Sequence, residues 1–214
     1  MHKKHYIDFA FKKLPQFSKQ MLDSYFNLPM DKYLLQDQCF RERRFSQVTF
    51  SGSATNLISG ADFFQNQEIN HYAGGLTRDF APIEQGVIDE FCQLFIDQVS
   101  PLFCGCDVNV GFHQIRITCA DNYVGYPVPE GWHQDGFDYL AISCINAENI
   151  CGGISRVRED MQSDSDFLSK ILKPSEMLIL NDRHFHHYTD PINNVEKGKK
   201  GFRDLLVTTI SLID

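Results

Sequence analysis

The stretch Glu130-Gly131-Trp132-His133-Gln134-Asp135-Gly136 lies between two strand-like runs, 108–118 and 137–146. In an extended chain, His133 and Asp135 are two residues apart and project to the same side. One imidazole and one carboxylate on a shared face supply two of the three ligands of a facial iron(II) site. A surface turn is the alternative interpretation, because the triplet is short and arises often by chance.

Short strand-like runs dominate the chain on both sides of this stretch. They cover 108–118, 137–146, 152–158, 176–181, 184–189 and 204–213, with one short helix predicted near 164–172. Further upstream, apolar spacing predicts helices over 17–28 and 82–98, a strand over 45–50 and a loop-rich segment over 51–81. Many short strands after a helical start predict a mainly β protein, with N-terminal helices packed on a sandwich or jelly roll.

No linker separates two parts of the sequence, so we interpret residues 1–214 as a single domain. Residues 1–107 would form a helical and loop-rich support with edge strands. Residues 108–214 would form the core that carries the metal site.

A cluster of histidines, His184-Phe185-His186-His187, offers the third metal ligand. Strand pleating places Phe185 and His187 on one face, and His184 and His186 on the other. An inward ligand shares its face with apolar neighbours, which favours His187 and leaves His186 as the alternative. We interpret His184 and His186 as solvated edge polarity, although together they could also bind zinc as an H-x-H pair.

Two further strands carry polar residues that suit the wall of a wet cavity. Arg203 opens an apolar run, and a guanidinium there can hold a carboxylate through two parallel hydrogen bonds. A salt bridge with Asp204 is the alternative. On 108–118, the face that ends in Gln114 and Arg116 changes from apolar to polar, as expected either of a strand entering the cavity or of one reaching solvent.

Charge and composition exclude several classes of protein. The 20 basic and 28 acidic residues give a net charge of −8, which argues against a general nucleic-acid binder and an anionic membrane surface. No apolar run approaches the roughly 18 residues of a membrane helix. The 7 cysteines include no CxxC pair, which is typical of free thiols in a reducing compartment, so we expect a cytoplasmic protein acting on a small molecule.

In this order, H-x-D, a later histidine and an arginine on a following strand resemble the iron(II)/2-oxoglutarate-dependent oxygenases. The closer resemblance is to the bacterial 2OG-Fe dioxygenase family that includes L-isoleucine 4-hydroxylase and related free amino-acid hydroxylases. The matching strings are Gln114-Ile115-Arg116, Pro129–Gly136, Asn146-Ala147-Glu148-Asn149, Asn181-Asp182-Arg183, His187–Ile192 and Gly201-Phe202-Arg203-Asp204, with a fainter match at Arg43-Arg44-Phe45-Ser46.

The resemblance implies a double-stranded β-helix core, in which His133, Asp135 and His187 bind Fe(II). Arg203 would hold the distal carboxylate of 2-oxoglutarate. With O2 as oxidant, the enzyme would hydroxylate a free L-amino acid or similar small zwitterion while 2-oxoglutarate is decarboxylated to succinate. Retention of Asp135 favours a hydroxylase, because halogenating relatives replace this carboxylate with a small residue.

Other residues are expected around this centre. Gln114 is expected on the co-substrate, and Arg116, Trp132 and Phe137 on the substrate, although core packing explains the aromatic residues equally well. Family members often read H-x-V-T-P-I at the distal histidine, whereas this chain has Asp190 before the Pro-Ile, an added charge that can change the substrate. Glu130, Asp138 and Asp190 are candidates for an amino group, and Arg43, Arg44 and Arg116 for an α-carboxylate.

Three alternatives remain at this point. One is a cupin-type zinc enzyme that uses the histidines at 184, 186 and 187 with His133. Another is a non-catalytic jelly roll that binds a small carboxylate, and the last is a hydroxylase of protein or nucleic acid, disfavoured by size and charge. The sequence leaves the oligomeric state open, with a homodimer among the options.

Overall fold

The computed structural model describes residues 6–35, 38–52, 54–58, 62–65, 75–162 and 164–213. The helices are α1 (Lys19–Ser24) and α2 (Gln85–Gln98), with 3-10 turns at Tyr25–Asn27 and Ser100–Phe103. The strands are β1 (Phe9–Lys13), β2 (Arg41–Ser51), β3 (Ala54–Ile58), β4 (Phe63–Phe64), β5 (Thr77–Arg78), β6 (Val108–Cys119), β7 (Tyr139–Glu148), β8 (Ile150–Gly152), β9 (Ile154–Arg158), β10 (Leu168–Ile171), β11 (Glu176–Asn181), β12 (His186–Thr189), β13 (Ile192–Asn194) and β14 (Gly201–Leu212).

Seven antiparallel strands form the larger sheet, in the order β1-β11-β7-β14-β6-β2-β3. The long strand β14 lies near its centre and pairs with β6 on one side and β7 on the other. A smaller sheet has the order β10-β9-β12. The mainly β architecture, with few helices, is that of a jelly-roll core and confirms the predicted fold class.

The helices pack against one face of the larger sheet. Apolar residues of α2, among them Phe91 and Phe95, share a core with Val110 and Phe112 of β6. On the other face of β6, residues such as Ile115 point to the interior between the two sheets. Both faces of this strand are therefore buried. The face of β6 that points between the sheets is therefore available for a functional site.

Two regions differ from the sequence prediction. The helix expected near 164–172 is wrong, because Leu168–Ile171 is extended and pairs with β9, with alternating burial typical of a strand. The segment 51–81, expected to be loop-rich, contains the short strands β3, β4 and β5; its residues 53, 59–61 and 66–74 lie outside the described part. The other predicted helices and the predicted strands are present with shifted ends.

Within the described ranges, no helix combines the length and apolarity needed to cross a membrane.

Candidate metal centre

Three side chains converge at the edge of the smaller sheet. The ligand atoms of His133, Asp135 and His187 all lie within 4.8 Å of one another, and this is the one such group found among the described residues. His133 and His187 face each other in an isolated antiparallel bridge, in which each backbone N–H donates to the other residue's carbonyl at 3.2 and 2.9 Å. Backbone pairing therefore sets the separation of the two histidines.

Hydrogen bonds to backbone carbonyls orient both imidazole rings. Nδ1 of His133 lies 2.9 Å from the carbonyl oxygen of Gly131, and Nδ1 of His187 lies 2.9 Å from that of His133. Because carbonyls only accept, each Nδ1 carries the proton and each Nε2 points to the carboxylate of Asp135, at 3.5 and 3.2 Å. Two imidazole nitrogens and one carboxylate facing one point are the donor set of a non-heme iron(II) centre.

Asp182 fixes the backbone of the loop that carries Asp135. Its carboxylate accepts hydrogen bonds from the backbone N–H groups of Asp135, Gly136 and Phe137, at 3.0, 2.8 and 3.0 Å. Burial and the negative charge of Asp135 raise the pKa of Asp182 to about 7, against the opposing effect of the three N–H donors. Asp182 thus positions a ligand without itself joining the triad.

Gln65 reaches Asp135 from the hairpin formed by β4 and β5. Its side-chain amide donates to Oδ1 of Asp135 at 2.9 Å, and its own carbonyl oxygen accepts from Nη2 of Arg78 at 2.6 Å. Two consecutive hydrogen bonds, from Arg78 to Gln65 and from Gln65 to Asp135, therefore connect the hairpin to the carboxylate ligand. Outer contacts of this kind orient metal ligands and support metal affinity.

The electrostatics of the triad favour one shared proton when no cation is present. Burial disfavours a charged His133, but its hydrogen bond to Asp135 and the charges of Asp135 and Glu130 outweigh this effect and raise its pKa to about 9. Burial and the neighbouring His133 lower the pKa of His187 to about 3. The pKa of Asp135 is lowered, since its hydrogen bond and charge interaction with His133 outweigh its burial. A divalent cation can replace this proton, so the residues fit the metal.

The triad lies at the wall of a cavity between the two sheets. The larger sheet contributes inward-facing residues of β6, β7 and β14, which are His113, Ile115, Ile117, Leu140, Ile142, Leu205, Val207 and Thr209. Phe63, Gln65 and Arg78 line it from the hairpin. Its charged lining, apart from the triad, is Arg41, Arg43, Arg78 and Glu130. The cavity is therefore apolar on one side and charged on another.

Arg203 lies at the start of β14 and is 1% exposed. Its Nη1 donates to the carbonyl oxygen of Gly153 at 2.8 Å, while Nη2 has no hydrogen-bond partner within the described residues. Arg203 is paired in register with Ile117, which lines the cavity, although Arg203 itself is not part of that lining. The free Nη2 of a buried guanidinium suits an anionic group.

The expected positions of Gln114 and Arg116 are wrong. In the described part of the chain, β6 lines the cavity with His113, Ile115 and Ile117. The side chains of Gln114 and Arg116 point to the opposite face of the strand. Gln114 donates to Oγ of Ser24 at 2.7 Å. Arg116 forms a bidentate pair with Asp204 at 2.6 and 2.8 Å, and its guanidinium also packs against the rings of Phe26 and Phe202. Both are explained by packing against the N-terminal helices and by ion pairing.

The two aromatic residues predicted to contact substrate lie beside the cavity. The Trp132 ring is 5.7 Å from that of Tyr188, and the guanidinium of Arg158 lies 4.4 Å from its centre. Phe137 stacks behind Phe63, with ring centroids 6.3 Å apart. In the described part of the chain, Phe63 and Tyr188 line the cavity and these two do not.

The remaining histidines of the cluster stay outside the centre. His184 is exposed and lies 3.7 Å from a carboxylate oxygen of Glu159. His186 occupies the other face of β12, and its Nδ1 is buried without a partner in the described structure. The metal-ligand group contains His187 rather than His186.

Sequence reasoning missed the contributions of Gln65, Arg78 and His113 to the site. Gln65 and Arg78 are far from the H-x-D stretch in sequence, in a segment interpreted as loop. His113 lies on the face of β6 opposite to Gln114 and Arg116, a face on which the sequence pattern predicts no candidate. The residues next to each of these three in the sequence give no signal for these roles.

The fold and the triad together define a 2-oxoglutarate-dependent non-heme iron oxygenase, with Fe(II), 2-oxoglutarate and O2 as its cofactor and cosubstrates. The chain belongs to the 2OG-Fe dioxygenase family, whose model matches residues 22–209. This membership disfavours the zinc-enzyme and non-catalytic alternatives.

Solved structures share the fold. A bsmA homolog from Methylobium petroleophilum PM1 is 25% identical, with a TM-score of 0.78 over 90% of this chain and 80% of that one. IDO from Bacillus thuringiensis is 18% identical, with a TM-score of 0.72 over 91% and 82%. The Fe(II)/(alpha)ketoglutarate-dependent dioxygenase TqaL is 15% identical, with a TM-score of 0.55 over 91% and 75%. No curated protein sequence matches significantly.

Proposed function

We propose that this dioxygenase hydroxylates a free L-amino acid or a similar small zwitterion, the substrate class that its sequence resemblance to L-isoleucine 4-hydroxylase and related enzymes implies. The observation that carries the proposal is the charge pattern of the cavity. Buried arginines and the carboxylate of Glu130 line the same cavity as the triad, and Oε2 of Glu130 has no partner among the described groups. A zwitterion supplies both complementary charges.

The residues of this chain divide the work as follows. His133, Asp135 and His187 would hold Fe(II), which when bound supplies the site at which 2-oxoglutarate and O2 react. Arg203 would hold the distal carboxylate of 2-oxoglutarate through its free Nη2. The apolar strands β6, β7 and β14 exclude water and orient the C–H bond of the substrate.

The cellular setting that we propose is the cytoplasm. All 7 cysteines are free, and three of them are exposed, as is usual where thiols are kept reduced.

A screen of the L-amino acids tests the substrate class. Each is incubated with the protein, Fe(II), 2-oxoglutarate and O2, and mass spectrometry follows succinate and a gain of one oxygen by the amino acid. We expect at least one amino acid to give both products in equal amounts. Asp135→Ala should abolish both, whereas the exposed control Asp97→Ala should not.

Two results would reject the proposal. One is unchanged turnover in Asp135→Ala. The other is oxygen incorporation into another class of compound, with none into any L-amino acid.

A further inference from the structure

Three arginines line the cavity beside the triad, and they form few ion pairs with carboxylates. Nε of Arg41 donates to Oδ2 of Asp31 at 2.7 Å. Nη1 of Arg43 lies 3.9 Å from the same oxygen, at the limit of an ion pair. Arg78 makes no ion pair within the described residues, which leaves Arg43 and Arg78 poorly compensated.

The hydrogen bonds of these two arginines go to neutral groups. Nη2 of Arg43 lies 2.6 Å from Nδ1 of His113, whose pKa is well below its usual value because of burial and the charge of Arg43. Nη2 of Arg78 donates to the side-chain oxygen of Gln65 at 2.6 Å. Nε has no partner in either arginine among the described residues, although Arg43 is 6% and Arg78 3% exposed.

Aromatic rings hold the two guanidinium groups in one place. The Phe63 ring lies 4.6 Å from the guanidinium carbon of Arg78 and 5.8 Å from that of Arg43, and the Phe80 ring lies 4.1 Å from Arg43. Such stacking fixes the planes of the cations but does not neutralise them. Buried charges with only weak or distant counter-ions are costly, so an arrangement of this kind is expected to receive an anion.

We propose that Arg43 and Arg78 bind the carboxylate of the substrate. The inference rests on the proposed function for the reaction and adds the group by which the substrate is recognised. A carboxylate matches the flat donor fork of arginine. The substrate is favoured over 2-oxoglutarate as the source, because Arg203 offers the cosubstrate a separate buried guanidinium on β14. Glu130, on the same cavity, is available for the ammonium group of an amino acid.

The test measures binding and turnover separately. Calorimetry on Mn(II)-loaded, oxygen-free protein gives the affinity for 2-oxoglutarate, then for the best amino acid from the screen, its carboxamide and its analogue without the amino group. We expect Arg78→Gln and Arg43→Gln each to weaken amino-acid binding about 10- to 100-fold, the loss typical of a charged hydrogen bond. Affinity for 2-oxoglutarate should change less than about twofold, and the carboxamide should bind wild type as weakly as the acid binds the variants.

Matched variants separate the site from general damage to the fold. Arg44→Gln changes the next arginine of β2, which faces away from the cavity and donates to the carbonyl of Pro82, and should bind like wild type. Arg43→Gln leaves Gln65 untouched and so controls for effects of Arg78→Gln on the metal ligand. Arg78→Lys should recover part of the lost affinity.

The outcomes distinguish the two proposals. If the amino acid is hydroxylated but its affinity is unchanged in both glutamine variants, the subsite is rejected and the function stands. If both variants weaken 2-oxoglutarate instead, the subsite belongs to the cosubstrate and the inference is overturned. If only carboxylic acids without an amino group bind and react, with the predicted loss in both variants, the subsite stands and the amino-acid function falls. If none of these carboxylates binds or reacts, both are rejected.

Discussion

The carboxylate of Asp182 accepts the backbone N–H of Asp135 at 3.0 Å, and it also accepts the N–H groups of the next two residues. Asp182 follows β11, in the larger sheet, and Asp135 carries one of the three metal ligands. The position of the carboxylate ligand is thus set by the residue that follows β11, the strand that pairs with β7 directly after the loop of Asp135.

Replacing Asp182 should therefore weaken both the fold and the metal centre. Asp182→Ala leaves three N–H groups without their acceptor, and each lost buried partner costs about 1–3 kcal/mol. We expect a lower Tm and a loss of about 10- to 100-fold in Mn(II) affinity, measured by calorimetry. Asp182→Asn keeps one carbonyl oxygen and should fall between Ala and wild type. A variant with wild-type Mn(II) affinity would show that the loop holds its shape without this contact.

Gln65→Leu should weaken the metal centre. The change removes the amide that donates to Oδ1 of Asp135, so the carboxylate is free to rotate. We expect Mn(II) affinity to fall about tenfold or more. Gln93→Leu, at an exposed glutamine of α2 that donates to Asp97, is the control and should bind Mn(II) normally. Equal affinities in the two variants would contradict the role of Gln65.

Metal binding should depend on pH through His133. Its pKa is raised to about 9, and the metal needs the unprotonated Nε2. Below pH 9, we expect Mn(II) affinity to rise about tenfold per pH unit, because one proton leaves as the cation enters. Calorimetry in two buffers of different ionisation enthalpy counts that proton. Affinity that is flat between pH 6 and 8, with no proton released, would disprove this coupling.

The same proton stabilises the metal-stripped protein. An ordinary histidine has a pKa of about 6.5 in the unfolded chain, below the folded value for His133. Its contribution to the free energy of unfolding is therefore complete below about pH 6.5 and is lost as the pH rises through about 9. Denaturant unfolding at several pH values should show stability falling over this window, and His133→Gln should remove most of the slope.

The pair Arg116–Asp204 should matter for stability and not for ligands. Arg116→Met leaves Asp204 buried without its counter-ion, at a cost of about 3–5 kcal/mol. The double variant Arg116→Met/Asp204→Leu removes both charges and should recover much of the loss, as judged by urea unfolding. Calorimetry on the folded double variant should give wild-type affinity for 2-oxoglutarate. A large loss of that affinity would restore Arg116 to the site.

The sequence predicts which way a strand residue points when apolar residues mark one face of the strand as buried. The pleat favours His187 over His186 because His187 shares a face with Phe185, and the structure groups His187 with the H-x-D pair. The same reasoning failed on β6, where both faces are buried, one against helices and one toward the cavity. Pleating places Gln114 and His113 on opposite faces of β6, but it does not indicate which of the two faces lines the cavity.

The contacts from the hairpin were beyond sequence reasoning for a different reason. Gln65 and Arg78 reach Asp135 through tertiary packing, and neither lies in a motif. The apolar pattern of β10 is short and fits the period of a helix as well as that of a strand. The prediction of a helix there is wrong because this segment pairs with β9.

The reciprocal bridge between His133 and His187 has a consequence for how the enzyme acquires its cation. Since main-chain pairing already holds both imidazoles at their working separation, loading requires no ordering of the chain. Empty and loaded protein should therefore have superimposable backbones at this point. Discrimination among divalent ions then rests on the preference of two nitrogens and one oxygen, together with whichever ion the cell supplies most freely.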